Sequence, residues 1–437
     1  MQHNDREGLE WTVRGWNLEP TWAREPQIDA IAEVCRRVLN LSTEQACSVK
    51  FYAAGAFNKL YIVETAGGKS LLRVSLPVDP GHKTRGEVTT LRWIRRRTQM
   101  PVPKVIAFDD TQDNEIGFEW ILMELMQGQS AYQRWRKMSM DQKTWLVEQI
   151  AEYQGQVFKQ SREVANFDSV GTLTESNKST PRTLPAPRPG RLVSMEFFWG
   201  NNFNYDVPRG PFRSSHDWLS ARLSLICQKQ AQLLEKEEDE DDREDARSII
   251  RLAQRLVSLL PKVFPSLVNP AEPTVLWHDD LSLQNILVDD DGKVTAIIDW
   301  ECVSAKPLWV AAGVPKALEG SKREEEPDRD SYGDDSESDN DEGDDDDGLD
   351  NEGKDSLYWI HLMEYEQTRL RRVYEEKLTT LWPQRATVAS QSCLKSDFHA
   401  AVDRCAAGWY LTRVEQWIDA VEGGTFPRLA DVLDAKV

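Results

Sequence analysis

Between residues 274 and 300 a mostly helix-patterned chain breaks into three short apolar runs, Val275-Leu276-Trp277, Ile286-Leu287-Val288 and 294–298. The last two flank Asp289-Asp290-Asp291-Gly292, a turn sequence that folds neighbouring strands into an antiparallel hairpin. Asn285 stands just before the first hairpin strand and Asp299 just after the second, so pairing of the strands brings them together. Asp280 lies five residues ahead of Asn285 on the loop leading in. Three oxygen-bearing side chains at one end of a small sheet suit phosphoryl transfer. One carboxylate can orient and deprotonate an attacking hydroxyl, and the other oxygens can hold Mg²⁺ on a triphosphate. The plain alternative is that Asp and Asn are ordinary turn residues. That reading is adopted for Asp289, Asp290 and Asp291. Asp280, Asn285 and Asp299 are each bordered by apolar strand and are read as functional, and His278 as a residue that steadies the loop.

The rest of the chain has two textures. Residues 1–48 read as a helical lead-in, with Ile28, Ile31, Val34, Cys35 and Val38 at helical spacing. Short β-type runs follow at 50–54, 59–65 and 70–75, separated by a turn at Gly55 and by Gly67-Gly68. A helix is expected over 85–97, stopped by Pro101 and Pro103, and then a buried strand over 118–125. From about residue 141 the pattern is mostly helical, with a Pro-, Ser- and Thr-rich loop at 177–191 and two final helices near 357–381 and 397–420. The expected class is α+β, a small β-rich unit followed by a larger helical one. The third early strand carries Arg73, and the helix after it carries Glu87, fourteen residues on.

His278-x-Asp280, four residues, Asn285, and then Ile298-Asp299-Trp300-Glu301 resemble the aminoglycoside phosphotransferase family of the protein-kinase-like fold, a group that includes choline kinases. Further likenesses are Gly55-Ala56-Phe57-Asn58-Lys59, Pro101-Val102-Pro103-Lys104-Val105, Ile121-Leu122-Met123-Glu124 with Gly128, and Pro307-Leu308-Trp309. The last is shared especially with the large fungal branch. The resemblance covers roughly residues 50–315. It implies a bilobal fold with an N-lobe over 49–126 and a C-lobe over 127–437, which carries the catalytic loop at 278–301. It also implies ATP and Mg²⁺ as cofactors. Asp280 would position and deprotonate the acceptor, and Asn285 and Asp299 would bind the metal. Gly55, Phe57 and Asn58 would form the nucleotide loop. Arg73, oriented by Glu87, would hold the phosphates where kinases place a Lys, a swap that changes length and geometry. The carbonyl of Glu124 and the amide of Met126 would meet adenine, with Met123 behind the base.

Departures from a protein kinase point to a small-molecule acceptor. Asp279 replaces the Arg of His-Arg-Asp, Trp300-Glu301 replaces Phe-Gly, and no Ala-Pro-Glu-ended activation segment follows. Phe197, Trp199, Phe203 and Tyr205 are candidates for stacking on a ring-bearing acceptor, and they fit a core or interface equally. Glu301, Glu364 and Glu366 are open to a cationic acceptor or to plain solvation. A nucleotide-binding pseudokinase or scaffold of the same fold is the alternative reading.

Charge adds little to this. The formal net charge is −20, but residues 319–355 hold 19 acids against 4 bases and residues 235–247 hold 9 against 3, so the remainder is close to neutral. No basic stripe stands clear to neutralise a phosphate backbone, which argues against nucleic acid and acidic membrane surfaces as partners. The 319–355 segment is poor in apolar residues and is expected to be a disordered insertion. No run of about 18 apolar residues appears, and the first residues lack the apolar core of a secretory signal. A cytoplasmic monomer is expected. Six widely spaced cysteines argue against a zinc site or a disulfide framework.

Overall fold

The computed structural model describes residues 6–15, 17–175, 186–265, 271–333 and 351–435. The chain opens with an antiparallel hairpin, β1 (Leu9–Arg14) and β2 (Asn17–Trp22), followed by α1 (Ile28–Val38). The helical lead-in expected over 1–48 is therefore corrected: its helix is α1, but residues 9–22 are strands. Leu9, Trp11 and Val13 alternate with polar residues, the period of a strand. Leu9, Trp11 and Trp22 then pack against the N-lobe core.

A five-stranded antiparallel sheet comes next, built from β3 (Cys47–Ala54), β4 (Asn58–Thr65), β5 (Gly68–Ser75), β6 (Val105–Asp109) and β7 (Glu119–Glu124) in the order β3-β4-β5-β7-β6. Helix α2 (His82–Arg97) crosses between β5 and β6. Tyr61, Val63, Leu72, Val74, Trp120 and Leu122 share one apolar cluster with Ile31, Val34 and Cys35 of α1. Full burial of a side chain such as Leu72 or Ile31 is worth roughly 1.5–3 kcal/mol, so this apolar face fastens α1 to the sheet. A separate cluster of Val88, Ile121 and Met123 seats α2 against the sheet.

The C-lobe is larger and mostly helical. Its elements in order are β8 (Gln129–Ser130), α3 (Ala131–Arg134), α4 (Met140–Lys159), β9 (Gly171–Thr174), β10 (Arg188–Pro189), α5 (Met195–Phe198), α6 (Ser215–Lys236), α7 (Glu240–Val263), β11 (Thr274–Trp277), β12 (Ile286–Val288), β13 (Val294–Ile297), β14 (Ser304–Pro307), α8 (Leu308–Ala311), α9 (Ser356–Leu381), α10 (Arg385–Gln391), α11 (Cys393–Ala407), α12 (Leu411–Glu422) and α13 (Leu429–Asp434). Helix α4 starts on a reciprocal capping box between Ser139 and Gln142. The smaller acidic run supplies the Asp239 cap and the first turn of α7, where the helix dipole favours negative charge.

The expected hairpin is β12–β13, with Ile286 opposite Ile297 and β8 on its outer edge. Its apolar side chains Ile286, Val288, Val294 and Ile297 share a core with Leu146 and Ile150 of α4 and with Leu370, Tyr374 and Leu378 of α9. The hairpin is thus packed among helices distant in sequence. Gly128 lets the segment after β7 lie close to it. At φ +120°, a Cβ there would stand 2.4 Å from Thr295 Oγ1 and 2.9 Å from the Val288 carbonyl oxygen.

The expected disorder of 319–355 is corrected for the described flanks. Arg371 of α9 donates to the carbonyls of Gly320 (2.7 Å) and Ser321 (3.0 Å), and Arg372 pairs with Glu324 at 2.6 Å. Trp359 donates to the Asn351 carbonyl at 2.8 Å, and Asp355 caps α9. Residues 334–350, the most acidic part, lie outside the described residues, as do 177–185 of the expected 177–191 loop.

Candidate active site

Two hydrogen bonds build the centre of the site. The Asn285 amide nitrogen donates to the Asp280 backbone carbonyl and to Asp280 Oδ2, both at 2.9 Å. The Ile298 amide donates to the Asn285 carbonyl, also at 2.9 Å, so the strand return sets Asp299 beside Asn285. Asp280, Asn285 and Asp299 are therefore brought together as the hairpin pattern requires. Asp299 has φ +61°, a left-handed backbone conformation uncommon outside glycine. Such strain persists where the surroundings over-determine it, and here Asp299 is flanked by the Ile298 bond to Asn285 and by buried Trp300.

His278 is buried. Its Nε2 lies 3.3 Å from the Ile298 carbonyl, and its ring packs edge-on to Trp300 at 4.8 Å. A carbonyl only accepts, so Nε2 carries the proton. Burial pushes the imidazole below its ordinary value, against the opposing pull of this bond and of Asp280 and Asp279. A neutral histidine tied to the hairpin steadies the loop.

The N-lobe contributes a second set of charges. Arg73 on β5 pairs with Glu87 on α2, and both side chains are buried. A third partnership was missed by sequence reasoning. Lys83, in the first turn of α2, is buried and pairs with Glu301 Oε2 at 2.5 Å, while Asn58 Nδ2 donates to the same oxygen at 2.9 Å. Lys83 and Ser75 both donate to Asn58 Oδ1, at 3.0 and 2.8 Å. Burial opposes ionisation of Glu301, but Lys83, Arg73 and the bonds from Asn58 and Lys83 outweigh it and hold the carboxyl down to about 2. No local signal in the sequence links positions 83 and 301. Glu301 is consequently neither solvated nor open to an acceptor.

Asp299 behaves oppositely. The residue is exposed, yet surrounding protein limits the hydration of its carboxylate. That desolvation, with repulsion from Glu301 and Asp280 and against the attraction of Arg73 and Lys83, pushes its carboxyl up to about 6. A carboxylate crowded by like charges is one that a divalent cation would relieve. Among the described residues no three His, Cys, Asp or Glu side chains form a metal-holding group. Mg²⁺ needs no such cage, being held by one or two carboxylates with water and phosphate oxygens. Asp299 and the amide oxygen of Asn285 fit that pattern.

The other expected contacts fall as follows. Gly55 closes a turn by donating its amide to the Asn58 carbonyl at 2.9 Å. Phe57 is buried edge-on against Phe198 and Trp199, so this loop packs on the C-lobe. Met123 is buried beside Val88, and Glu124 ends β7 with its amide bonded to the Lys104 carbonyl at 2.9 Å. Met126, two residues on, is half-buried. The aromatic patch is structural: Phe197 is core, Trp199 packs on Trp11, Phe203 lies under Arg6, and Tyr205 donates to Gln232 at 2.7 Å. Glu364 pairs with Arg323 at 3.3 Å, and Glu366 accepts from buried Lys143 and from Trp135, each at 2.7 Å.

A second residue absent from the sequence reading is Lys316, whose Nζ lies 2.6 Å from Asp280 Oδ1. It sits in a three-residue 3₁₀ turn, Lys316–Leu318, with no periodic pattern to flag it.

The family model described as the phosphotransferase enzyme family matches residues 48–310. Among curated proteins, a subtelomeric hrmA-associated cluster protein of Aspergillus fumigatus is 29% identical over 312 residues, covering 60% of this chain and 59% of that relative. Clavilactone A biosynthesis cluster protein Y of Ampulloclitocybe clavipes is 24% identical over 240 residues, covering 54% and 53%. Altered inheritance of mitochondria protein 9, mitochondrial, of Lodderomyces elongisporus is 22% identical over 309 residues, covering 62% and 48%. The chain thus matches less than two thirds of the length of each. Of solved structures, a thermostable mutant of aminoglycoside phosphotransferase APH(4)-Ia aligns over 90% of this chain and 99% of its own, at 13% identity and a TM-score of 0.42. With more than half of its length matched by the family model, this chain belongs to the phosphotransferase enzyme family.

Proposed function

We propose that this chain is an ATP- and Mg²⁺-dependent kinase that transfers the γ-phosphoryl group to a hydroxyl of a small molecule. The observation that carries the reading is the direct bond from the Asn285 amide to Asp280, with Asp299 delivered alongside by the hairpin. Asp280 orients the acceptor hydroxyl and takes its proton. Asn285 fixes the Asp280 carboxylate and, with Asp299, would hold Mg²⁺, which when bound supplies neutralising charge at the phosphates. Arg73, held by Glu87, steadies the nucleotide phosphates, and the backbone of Glu124 and Met126 receives adenine around Met123. The backbone of the turn at Gly55, Phe57 and Asn58 covers the nucleotide, while the Phe57 and Asn58 side chains anchor that turn. Most of the rate comes from alignment and charge stabilisation, since the reaction asks little covalent chemistry of the protein.

The acceptor is a small molecule, and the protein acts as a cytoplasmic monomer without nucleic-acid or membrane partners. Among the described residues no helix is long and apolar enough to cross a membrane. A second reading, a weakly active or inactive nucleotide-binding scaffold, is favoured by Asp280 being engaged at both oxygens, by Lys316 and Asn285. Thermal-shift titration with ATP, with and without Mg²⁺, separates the two. A kinase gains a Mg²⁺-dependent increase in Tm that follows mass action, whereas no response at millimolar ATP favours the scaffold.

A further inference from the structure

This inference rests on the phosphotransferase reading and deepens it by adding a residue to the transfer step. A phosphoryl group in flight spreads negative charge over its equatorial oxygens, and a protein cation placed there lowers the barrier. From His278 to Ile286 the loop bearing Asp280 contains no Lys or Arg. Arg73, paired with Glu87, is already assigned to the nucleotide phosphates, and Lys83 is paired with Glu301 across the lobes. Lys306, which pairs with Asp279 at 2.9 Å, is buried over the Trp218 ring.

Lys316 differs from all of these. Its ammonium sits on Asp280 Oδ1, while the other carboxylate oxygen takes the Asn285 amide. Its side chain is 54% exposed, so the ammonium has room to move. Its backbone, in contrast, is fixed to the loop that it serves. The Ala317 amide donates to the Leu281 carbonyl at 2.8 Å, Gln367 of α9 donates to the Ala317 carbonyl at 3.0 Å, and Ala317 and Leu318 are buried. A flexible cation on a rigid anchor, in contact with the candidate base, is placed to follow the reacting group.

We propose that Lys316 is a catalytic residue: its ammonium rests on Asp280 and contacts the γ-phosphoryl group as that group passes to the acceptor. The acceptor oxygen forms its bond to the γ-phosphorus while the bond to the β,γ-bridging oxygen breaks and its electron pair leaves with ADP. The hydroxyl proton goes to Asp280. Lys316 keeps its protons throughout and offsets charge on the transferring oxygens.

The test uses the full chain with MgADP, alone and with aluminium fluoride, a stand-in for the transferring phosphoryl group, and reads the Tm of wild type, Lys316→Ala and Lys316→Arg. MgADP alone should raise all three equally. Aluminium fluoride should add a further increase in wild type and in Lys316→Arg, and none in Lys316→Ala. Where turnover is followed, Lys316→Ala should lower kcat by roughly 10- to 100-fold, less than the effect of a fully enclosed cationic finger, with KM for ATP within about twofold of wild type. A full aluminium fluoride increment in Lys316→Ala, or MgADP binding with no increment in wild type, overturns the role of Lys316. Failure of MgADP to raise the wild-type Tm sinks the phosphotransferase reading itself, and this inference with it.

Discussion

Glu301→Gln tests the buried link between the lobes. The Lys83 side chain is 1% exposed and that of Glu301 14%, so removing the carboxylate leaves an ammonium in the interior without its counter-charge. The Glu301 carboxyl is held from 4.5 down to about 2, against the cost of burial, by Lys83 first and then by Arg73, Asn58 and the Lys83 hydrogen bond. At about 1.4 kcal/mol per pH unit, that depression corresponds to about 3 kcal/mol of stability. It matches the order of the ~3–5 kcal/mol lost when one partner of a buried pair is removed. Because the folded value is depressed, the contribution is complete above pH 4.5 and is lost as pH falls towards 2. In a chain of 437 residues a loss of this size lowers Tm by about 3 °C. Urea unfolding at pH 7 is the assay, run on wild type, Glu301→Gln, Lys83→Met and the double variant. Since an apolar replacement of a whole ion pair is often neutral, the double variant should recover at least half of the loss seen in Glu301→Gln. A single-variant loss below about 1 kcal/mol, or two losses that simply add, refutes the claim that these groups stabilise each other.

Asp299→Asn should act in the opposite direction. The carboxyl is raised from 3.8 to about 6, first by desolvation, so its ionised form costs stability, and the cost develops from pH 3.8 and is complete above pH 6. Discounted for the exposure of the residue, it amounts to about 1 kcal/mol; urea midpoints should favour Asp299→Asn at pH 7.5 and converge at pH 3.5, and a difference independent of pH contradicts the assignment. Gly128→Ala should destabilise by roughly 1–3 kcal/mol because of its backbone conformation, with further cost from the approach to Thr295 and Val288. Thermal melts check this, and an unchanged Tm would show that the segment after β7 relaxes freely.

The parts of this fold legible in the sequence are those set by local rules. The Asp289–Gly292 turn and the apolar runs on either side specify the β12–β13 hairpin, and with it the neighbourhood of Asp280, Asn285 and Asp299. The N-lobe strands and α2 follow from period and from Pro and Gly punctuation. The first hairpin was hidden by its length: Leu9, Trp11 and Val13 alternate over only six residues, and the stronger helical pattern of α1 coloured the whole segment. Lys83 with Glu301 and Lys316 with Asp280 are ion pairs across 218 and 36 residues, and no periodicity reports a partner that tertiary packing supplies. The contacts of the acidic segment are hidden for a related reason. Its composition describes what it can bury by itself, and says nothing of Arg371 and Arg372 on α9, which bind its first residues.

The role proposed for Asp280 is to position and deprotonate an acceptor hydroxyl. Its most direct test is ATP turnover by wild type and Asp280→Asn over a panel of amino alcohols and sugars. Wild type should show acceptor-dependent turnover, and Asp280→Asn a loss on the order of 10²–10⁴-fold, with Mg²⁺-dependent ATP binding retained. Equal turnover in the two proteins would contradict it.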